Sequence, residues 1–273
     1  MRQRIYWKDQ VVLITGAGHG LGRALSLTMA QMGATLVVTD REISKAQETV
    51  DLILQSGGKA IGLFLDVSKV ESIREAREQI SQKVGEVSVL INNAGVVSGG
   101  EFTKVDLDSH LRTLDINLKG LIQTTHFFLP EMLKRSKAVL INIASASSLL
   151  ALPWASTYAA SKWGVLGFSD SLREELKLLK QSHCQVISVC PSYISTGMFQ
   201  GIKLPWLMRW VSPENLANRI VRAIEKHETT VLTPWNVIPV PLAKGLLPHS
   251  WFLTLCRWLG VTKSMVSWQG HTR

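Results

Sequence analysis

Seven short apolar runs, each followed by a stretch of helical periodicity or a turn, constrain this chain more than any other feature. The runs cover residues 11–14, 35–39, 60–65, 87–91, 138–143, 185–189 and 230–232. Helical spacing of apolar residues fills 23–32, 43–55, 69–83, 106–133, 156–180 and 213–226. Strands alternating with helices of this length add to a sheet in parallel, with helices covering both faces. The strands are continuous apolar runs, such as "TLVVT" at 35–39. That pattern belongs to strands buried on both faces. The predicted fold is α/β, a doubly wound Rossmann-type parallel sheet of about seven strands. No repeat or long linker interrupts it. Residues 8–232 therefore read as one domain, and 233–273 as a C-terminal extension of different character.

Between the first strand and first helix stands "TGAGHGLG", with Gly16, Gly18, Gly20 and Gly22. A helix N-terminus with free N–H groups and no intervening side chains suits a pyrophosphate. A glycine-rich turn can also be purely structural, so its surroundings matter. Asp40 ends the second strand, 18 residues after Gly22. A carboxylate there can accept hydrogen bonds from an adenosine ribose. Its charge repels the extra phosphate of NADP, while Arg41 and His19 are placed to soften that repulsion. NAD is the expected cofactor, with NADP disfavoured.

The stretch "STYAASK" at 156–162 puts Tyr158 four residues before Lys162. On a helix the two share a face. A free phenol, with a pKa near ~10, is a poor base at neutral pH. A neighbouring ammonium favours the phenolate. A downward shift of ~2–3 units, roughly 3–4 kcal/mol, would make Tyr158 an acid or base near the working pH. The pair alone proves little; it needs a site around it.

Further motifs supply one: "DV" at 66–67, "NNAG" at 92–95, "LDINLKG" around Asn117, and "IASAS", which sets Ser145 thirteen residues before Tyr158. In this order and spacing the chain resembles the short-chain dehydrogenases/reductases over roughly residues 8–232. The ending "LGVTKSMVSWQGH", the Pro-Glu-Asn helix start and "TVLTPW" are most similar to the group containing retinol dehydrogenases and lipid-droplet hydroxysteroid dehydrogenases. The resemblance implies hydride transfer between a nicotinamide and an alcohol or carbonyl, with Asn117, Ser145, Tyr158 and Lys162 catalytic. Tyr158 would exchange the proton, Ser145 would orient the substrate oxygen, and Asn117 would support a relay through water. Lys162 would also hold the nicotinamide ribose. Cofactor contacts are implied at Thr15, Gly16, Gly20, Leu21, Gly22, Asp40, Arg41, Asp66, Val67, Asn93, Ala94, Gly95, Tyr158, Lys162, Pro191, Ile194 and Thr196. In "PSYIST" at 191–196 the chain departs from the family, placing Ser192 where glycine usually follows the proline.

The substrate side is predicted from Ser145, Leu150, Trp154, Met198 and Phe199, with Trp206, Leu207, Met208 and Trp210 nearby. Such a wall suits a lipophilic alcohol or ketone, such as a retinoid, steroid or long-chain alcohol. The same residues would serve equally to pack a lid or a subunit contact. The net charge of +9 is uneven: residues 199–273 hold nine Lys or Arg against Glu214, Glu225 and Glu228, and six of the nine tryptophans. Segment 237–260 mixes apolar residues with Trp251, Phe252, Trp258, Lys244 and Arg257. Such a mixture suits a membrane–water interface, or an amphipathic cover on the protein's own core.

No run of ~20 apolar residues reads as a spanning helix, and the opening "MRQRIYWKDQ" has no apolar core of signal-peptide length. The basic excess comes without a nucleic-acid recognition module, so no nucleic-acid partner is expected. Cys184, Cys190 and Cys256 have no metal-like spacing, and the histidines form no cluster, so no metal is expected. The expectation is a cytoplasmic homo-oligomer, dimer or tetramer, with peripheral contact to a membrane or lipid surface. The alternative is a catalytically weak cofactor-binding protein acting as a scaffold on that surface.

Overall fold

The computed structural model describes residues 7–205 and 208–270. Trp206 and Leu207, predicted to lie near the substrate, fall outside the described residues. The elements follow in order: β1 (Val11–Thr15), α1 (Gly20–Gln31), β2 (Thr35–Asp40), α2 (Ile43–Gln55), β3 (Lys59–Phe64), α3 (Val70–Val84) and β4 (Val89–Asn92). Next come α4 (Leu107–Leu114), α5 (Gly120–Met132), β5 (Ala138–Ile143), α6 (Ser156–Leu178) and β6 (Cys184–Pro191). The chain continues through α7 (Pro213–Glu225), β7 (Thr230–Thr233), α8 (Val240–Leu246) and α9 (His249–Trp258).

The seven strands form one sheet in the order β3-β2-β1-β4-β5-β6-β7. All six pairings are parallel. Successive strand residues point to opposite faces, and β1 shows the consequence. Val12 and Ile14 pack into a layer with Leu25 and Met29 of α1 and Leu216 and Ile220 of α7. Leu13 faces the other layer, with Ile73 and Ile80 of α3 and Phe128 and Met132 of α5. Each such side chain contributes roughly 1.5–3 kcal/mol on burial. Continuous apolar strands are what two covered faces require.

From β1 the chain builds outward to β2 and β3, then returns to place β4 on the other side of β1. A crevice opens beyond the carboxyl ends of the strands at such a reversal. The glycine-rich turn after β1 and the "NNAG" turn after β4 both lie there.

The helix predicted over 106–133 is interrupted. Between α4 and α5 the turn Asp115–Lys119 is π-helical, with the Gly120 N–H bonded to the Asp115 carbonyl. Single π turns inside helices frequently occur at functional sites. Here the turn carries Asn117, which is buried. Past β7 the chain leaves the sheet. Phe252 and Cys256 of α9, one turn apart, pack with Leu150 and Val261. Among the described residues, no helix is long and apolar enough to cross a membrane.

Candidate active site

At the end of β1 the Thr15 hydroxyl oxygen accepts the N–H groups of Asn93 and Ala94, both at 3.0 Å. The Asn93 amide donates back to the carbonyls of Thr15 and Gly16, both at 2.9 Å. These bonds clasp the turns after β1 and β4 together, so Thr15 and Asn93 fix the loop's shape with their side chains. Glycine is required by close approach: a Cβ on Gly22 would lie 2.4 Å from the Gly16 carbonyl oxygen. A Cβ on Gly20 would meet Thr196 at 3.1 Å. The turn after β6, with Pro191, Ile194 and Thr196, therefore borders the start of α1.

Asp40 sits at the end of β2 beside this turn. Its carboxylate accepts from the Gly18 N–H at 3.0 Å and the Glu42 N–H at 3.1 Å. His19 approaches it to 3.9 Å, and Arg41 is exposed nearby. Helix α1 begins at Gly20 with no side-chain cap, leaving the N–H groups of its first turn to seek another partner. An uncapped helix start, a glycine cradle and a buried carboxylate at the next strand end fit a dinucleotide. Leu21 and Gly22 lie in that first turn. Beyond β3, one Asp66 carboxylate oxygen is committed to Ser68, through its N–H at 3.0 Å and hydroxyl at 2.6 Å. Val67 packs where a Cβ on Gly120 would otherwise go.

The four residues predicted to be catalytic converge from three elements. Tyr158 and Lys162 occupy one buried face of α6. Ser145, just past β5, lies beside the Tyr158 phenol and lowers its pKa, and its oxygen accepts the Ser147 N–H at 3.1 Å. The π turn presents Asn117, whose amide pairs with both the N–H and the carbonyl of Val96, at 2.8 and 2.9 Å, and with the Ser161 hydroxyl at 3.1 Å. Gly95 separates Asn117 from Lys162: a Cβ there would lie 3.3 Å from the Asn117 amide oxygen and 3.6 Å from the Lys162 ammonium. These bonds lock the Asn117 side chain, so it holds the loop after β4 at Val96 against α6.

The expectation for the tyrosine is corrected. Burial pushes the Tyr158 phenol up to about 12, against a smaller lowering by Ser145. Burial brings the Lys162 ammonium down to about 8. The reason lies in the geometry. Lys162 is 5.9 Å from the phenol ring centre and directs its ammonium at the Ile143 carbonyl, 2.7 Å away. Desolvation of both groups outweighs their attraction.

Beside Ser145 and Tyr158 lies a small pocket that opens to solvent. Leu150 and Phe199 line it. Trp154 and Met198 do not. Trp154 occupies a left-handed turn and is 37% exposed, and Met198 packs behind Phe199 in the adjoining cluster. The wall also includes Ala146, Ser147, Leu152, Ser192, Tyr193, Met208 and, from the C-terminal extension, Val261. The sequence carries no signal that would bring Val261 there, 103 residues beyond Tyr158; Ser192 is visible in it as the departure from Pro-Gly.

The short chain dehydrogenase family profile matches residues 10–205. The chain belongs to this family. Epidermal retinol dehydrogenase 2 of Mus musculus is 34% identical over 255 residues, covering 92% of this chain and 82% of its own length. Retinol dehydrogenase 10 of Homo sapiens is 32% identical over 286 residues, covering 94% and 84%. The crystal structure of a short chain dehydrogenase/reductase from Burkholderia phymatum in complex with NAD aligns with a TM-score of 0.80 at 25% identity, over 92% of this chain and 96% of that one. This enzyme is a nicotinamide-dependent oxidoreductase acting on CH–OH groups and their carbonyl counterparts. The catalytically weak scaffold considered as the alternative gains no support.

Proposed function

We propose that this enzyme uses NAD to interconvert a lipophilic alcohol and its carbonyl, with a retinoid, steroid or long-chain alcohol as substrate. The observation that carries the reading is the placement of Ser145 and the buried Tyr158 together at the wall of an apolar pocket, next to the dinucleotide-fitting end of the sheet. The names of the retinol dehydrogenases it resembles support the substrate class. Asp40 supports NAD, since it would meet ribose hydroxyls favourably and a phosphate unfavourably.

The nicotinamide supplies or accepts the hydride when bound, held by the turns around Gly16–Gly22, Asp40, Asp66–Val67, Ala94–Gly95, Pro191 and Thr196. The chain's own residues handle the oxygen. Ser145, with its lone pair held by the Ser147 N–H, turns its hydroxyl to the substrate oxygen. Tyr158 donates a proton to that oxygen in reduction and removes it in oxidation. With its pKa at about 12, the phenol is protonated at neutral pH. It is therefore ready as an acid; oxidation needs added positive charge or a higher pH. Lys162, its pKa at about 8, supplies positive charge near it at neutral pH. The bonds around Asn117 and Ile143 keep these groups from drifting.

Residues 8–232 act in this reading as the cofactor domain, and 233–273 as the extension that closes the substrate side. The exposed Trp251 and Trp258, 67% and 76% accessible, support peripheral contact with a lipid surface. Two residues grouped with them by sequence have other duties. Phe252 is buried in the protein's own core, and Lys244 lies 3.5 Å over the Trp163 ring centre. A homo-oligomer in the cytoplasm remains the working assembly.

The test is turnover of retinol, steroid alcohols and fatty alcohols with NAD and NADP, followed by nicotinamide absorbance. Tyr158→Phe should lose at least about a thousandfold in kcat while binding NAD normally, because only the proton-exchanging hydroxyl is removed. In the intact enzyme, oxidation should rise with pH and reduction should not. A Tyr158→Phe variant with normal rates would overturn the mechanism.

A further inference from the structure

Two hydroxyls in the cavity wall have no part in the reaction described above. Ser147 is 4% exposed, and its hydroxyl finds no hydrogen-bond partner among the described residues. Its N–H touches the Ser145 oxygen, so the Ser147 hydroxyl is only three covalent bonds from an atom in contact with Ser145. Ser192 is 8% exposed, and its hydroxyl meets only the Met208 thioether, at 3.3 Å. A thioether is a weak acceptor. Neighbouring hydroxyls are all engaged: Ser148 donates to the Lys162 carbonyl at 2.7 Å, and Tyr193 pairs with Ser264 at 2.7 Å.

Buried hydroxyls in native proteins nearly always have a partner, because an unpaired one forfeits its hydration for nothing. Apart from the reacting pair Ser145 and Tyr158 and the engaged Tyr193, the rest of this wall is apolar, with Ala146, Leu150, Leu152, Phe199, Met208 and Val261. Position 192 does not need a hydroxyl to make its turn, since the family usually has glycine there. Both residues line the space that a ligand would enter, one with an unpartnered hydroxyl and one with a hydroxyl held only by a thioether.

We propose that Ser147 and Ser192 form a second polar subsite, which takes up a second oxygen of the substrate close to the reacting carbon. The ligand class is a lipophilic diol or hydroxyketone, with its hydrocarbon part against Leu150, Leu152 and Phe199. The inference rests on Ser145 and Tyr158 being the reacting pair. It narrows the substrate from any oily alcohol to one carrying two neighbouring oxygens. Sites built to hydrogen-bond a substrate hydroxyl discriminate strongly against the analogue that lacks it.

The experiment compares a long-chain secondary alcohol with the vicinal diol of the same chain length. For the intact enzyme, kcat/KM should favour the diol by about tenfold or more, carried mainly by KM; tenfold corresponds to about 1.4 kcal/mol, near one hydrogen bond. In Ser147→Ala and Ser192→Gly the diol-to-alcohol ratio should fall towards one. The ratio is taken within each protein, so a change in basal rate cancels. Dissociation constants from titration calorimetry give the same ratio without turnover, so failure of the reaction and failure of the subsite are distinguishable. Equal handling of diol and alcohol by the intact enzyme, or a preference that survives both substitutions, would overturn the proposal.

Discussion

Replacing Lys162 with Met should make the pH dependence of stability differ between the two proteins in a way set by one buried ammonium. Lys162 is 5% exposed, and among the described residues it makes no ion pair. Its pKa falls from 10.5 to about 8 in the folded protein. At roughly 1.36 kcal/mol per unit, holding the protonated form in place costs about 3 kcal/mol at pH 7. A depressed pKa means stability that is present above the unfolded value and lost as pH falls through the folded one. Between pH ~8 and ~10.5 the folded protein releases this proton while the unfolded chain keeps it, so stability rises with pH. The intact enzyme should gain roughly 2–3 kcal/mol over Lys162→Met between pH ~7 and ~10.

The offset between the two proteins at any single pH is less informative. It mixes relief of desolvation with loss of the hydrogen bond to Ile143, about 1–3 kcal/mol in the other direction. The slope isolates the ammonium. Burial pushes Tyr158 and Cys190 up to about 12, so in this window they titrate only in the unfolded chain, an effect both proteins share and the difference cancels. Urea unfolding of both proteins without cofactor, at steps across this range, gives the difference directly. A difference that stays flat with pH would refute the desolvation argument. The same substitution should abolish turnover.

Gly22→Ala should destabilise the fold by about 1–3 kcal/mol and eliminate dinucleotide binding, because the new Cβ would meet backbone at 2.4 Å. Gly167→Ala, on α6 with nothing within 4 Å of its Cβ, is the control and should stabilise by up to about 1 kcal/mol; melting and titration calorimetry read both. Asp40→Ser should shift the ratio of catalytic efficiencies towards NADP by about tenfold or more, and a preference for NADP in the unaltered enzyme would sink the role given to Asp40. Trp251→Ser with Trp258→Ser should abolish flotation with anionic vesicles, which for the intact protein should weaken as salt screens the charge. An intact protein that stays wholly soluble at low salt would make these tryptophans a subunit contact.

What the amino-acid order determined by itself is everything that depends on neighbours along the chain. The strand–helix alternation required a parallel sheet, because each helical crossover forces the next strand to run the same way. The pairing of Tyr158 with Lys162 followed from helical periodicity, and the glycine turn with Asp40 from the length of one strand–helix–strand unit. Only the tertiary structure decided what depends on burial and distant approach. The sign of the Tyr158 shift came from desolvation, which a sequence does not display. The π turn at Asn117 follows from packing against Val96 and Ser161, since local helical propensity would have run straight through. Val261 reaches the cavity wall because α9 folds Phe252 and Cys256 onto Leu150. The same helix turns Trp251 and Trp258 outward: one amphipathic pattern, legible in sequence, whose buried side became known only when its partner was in place.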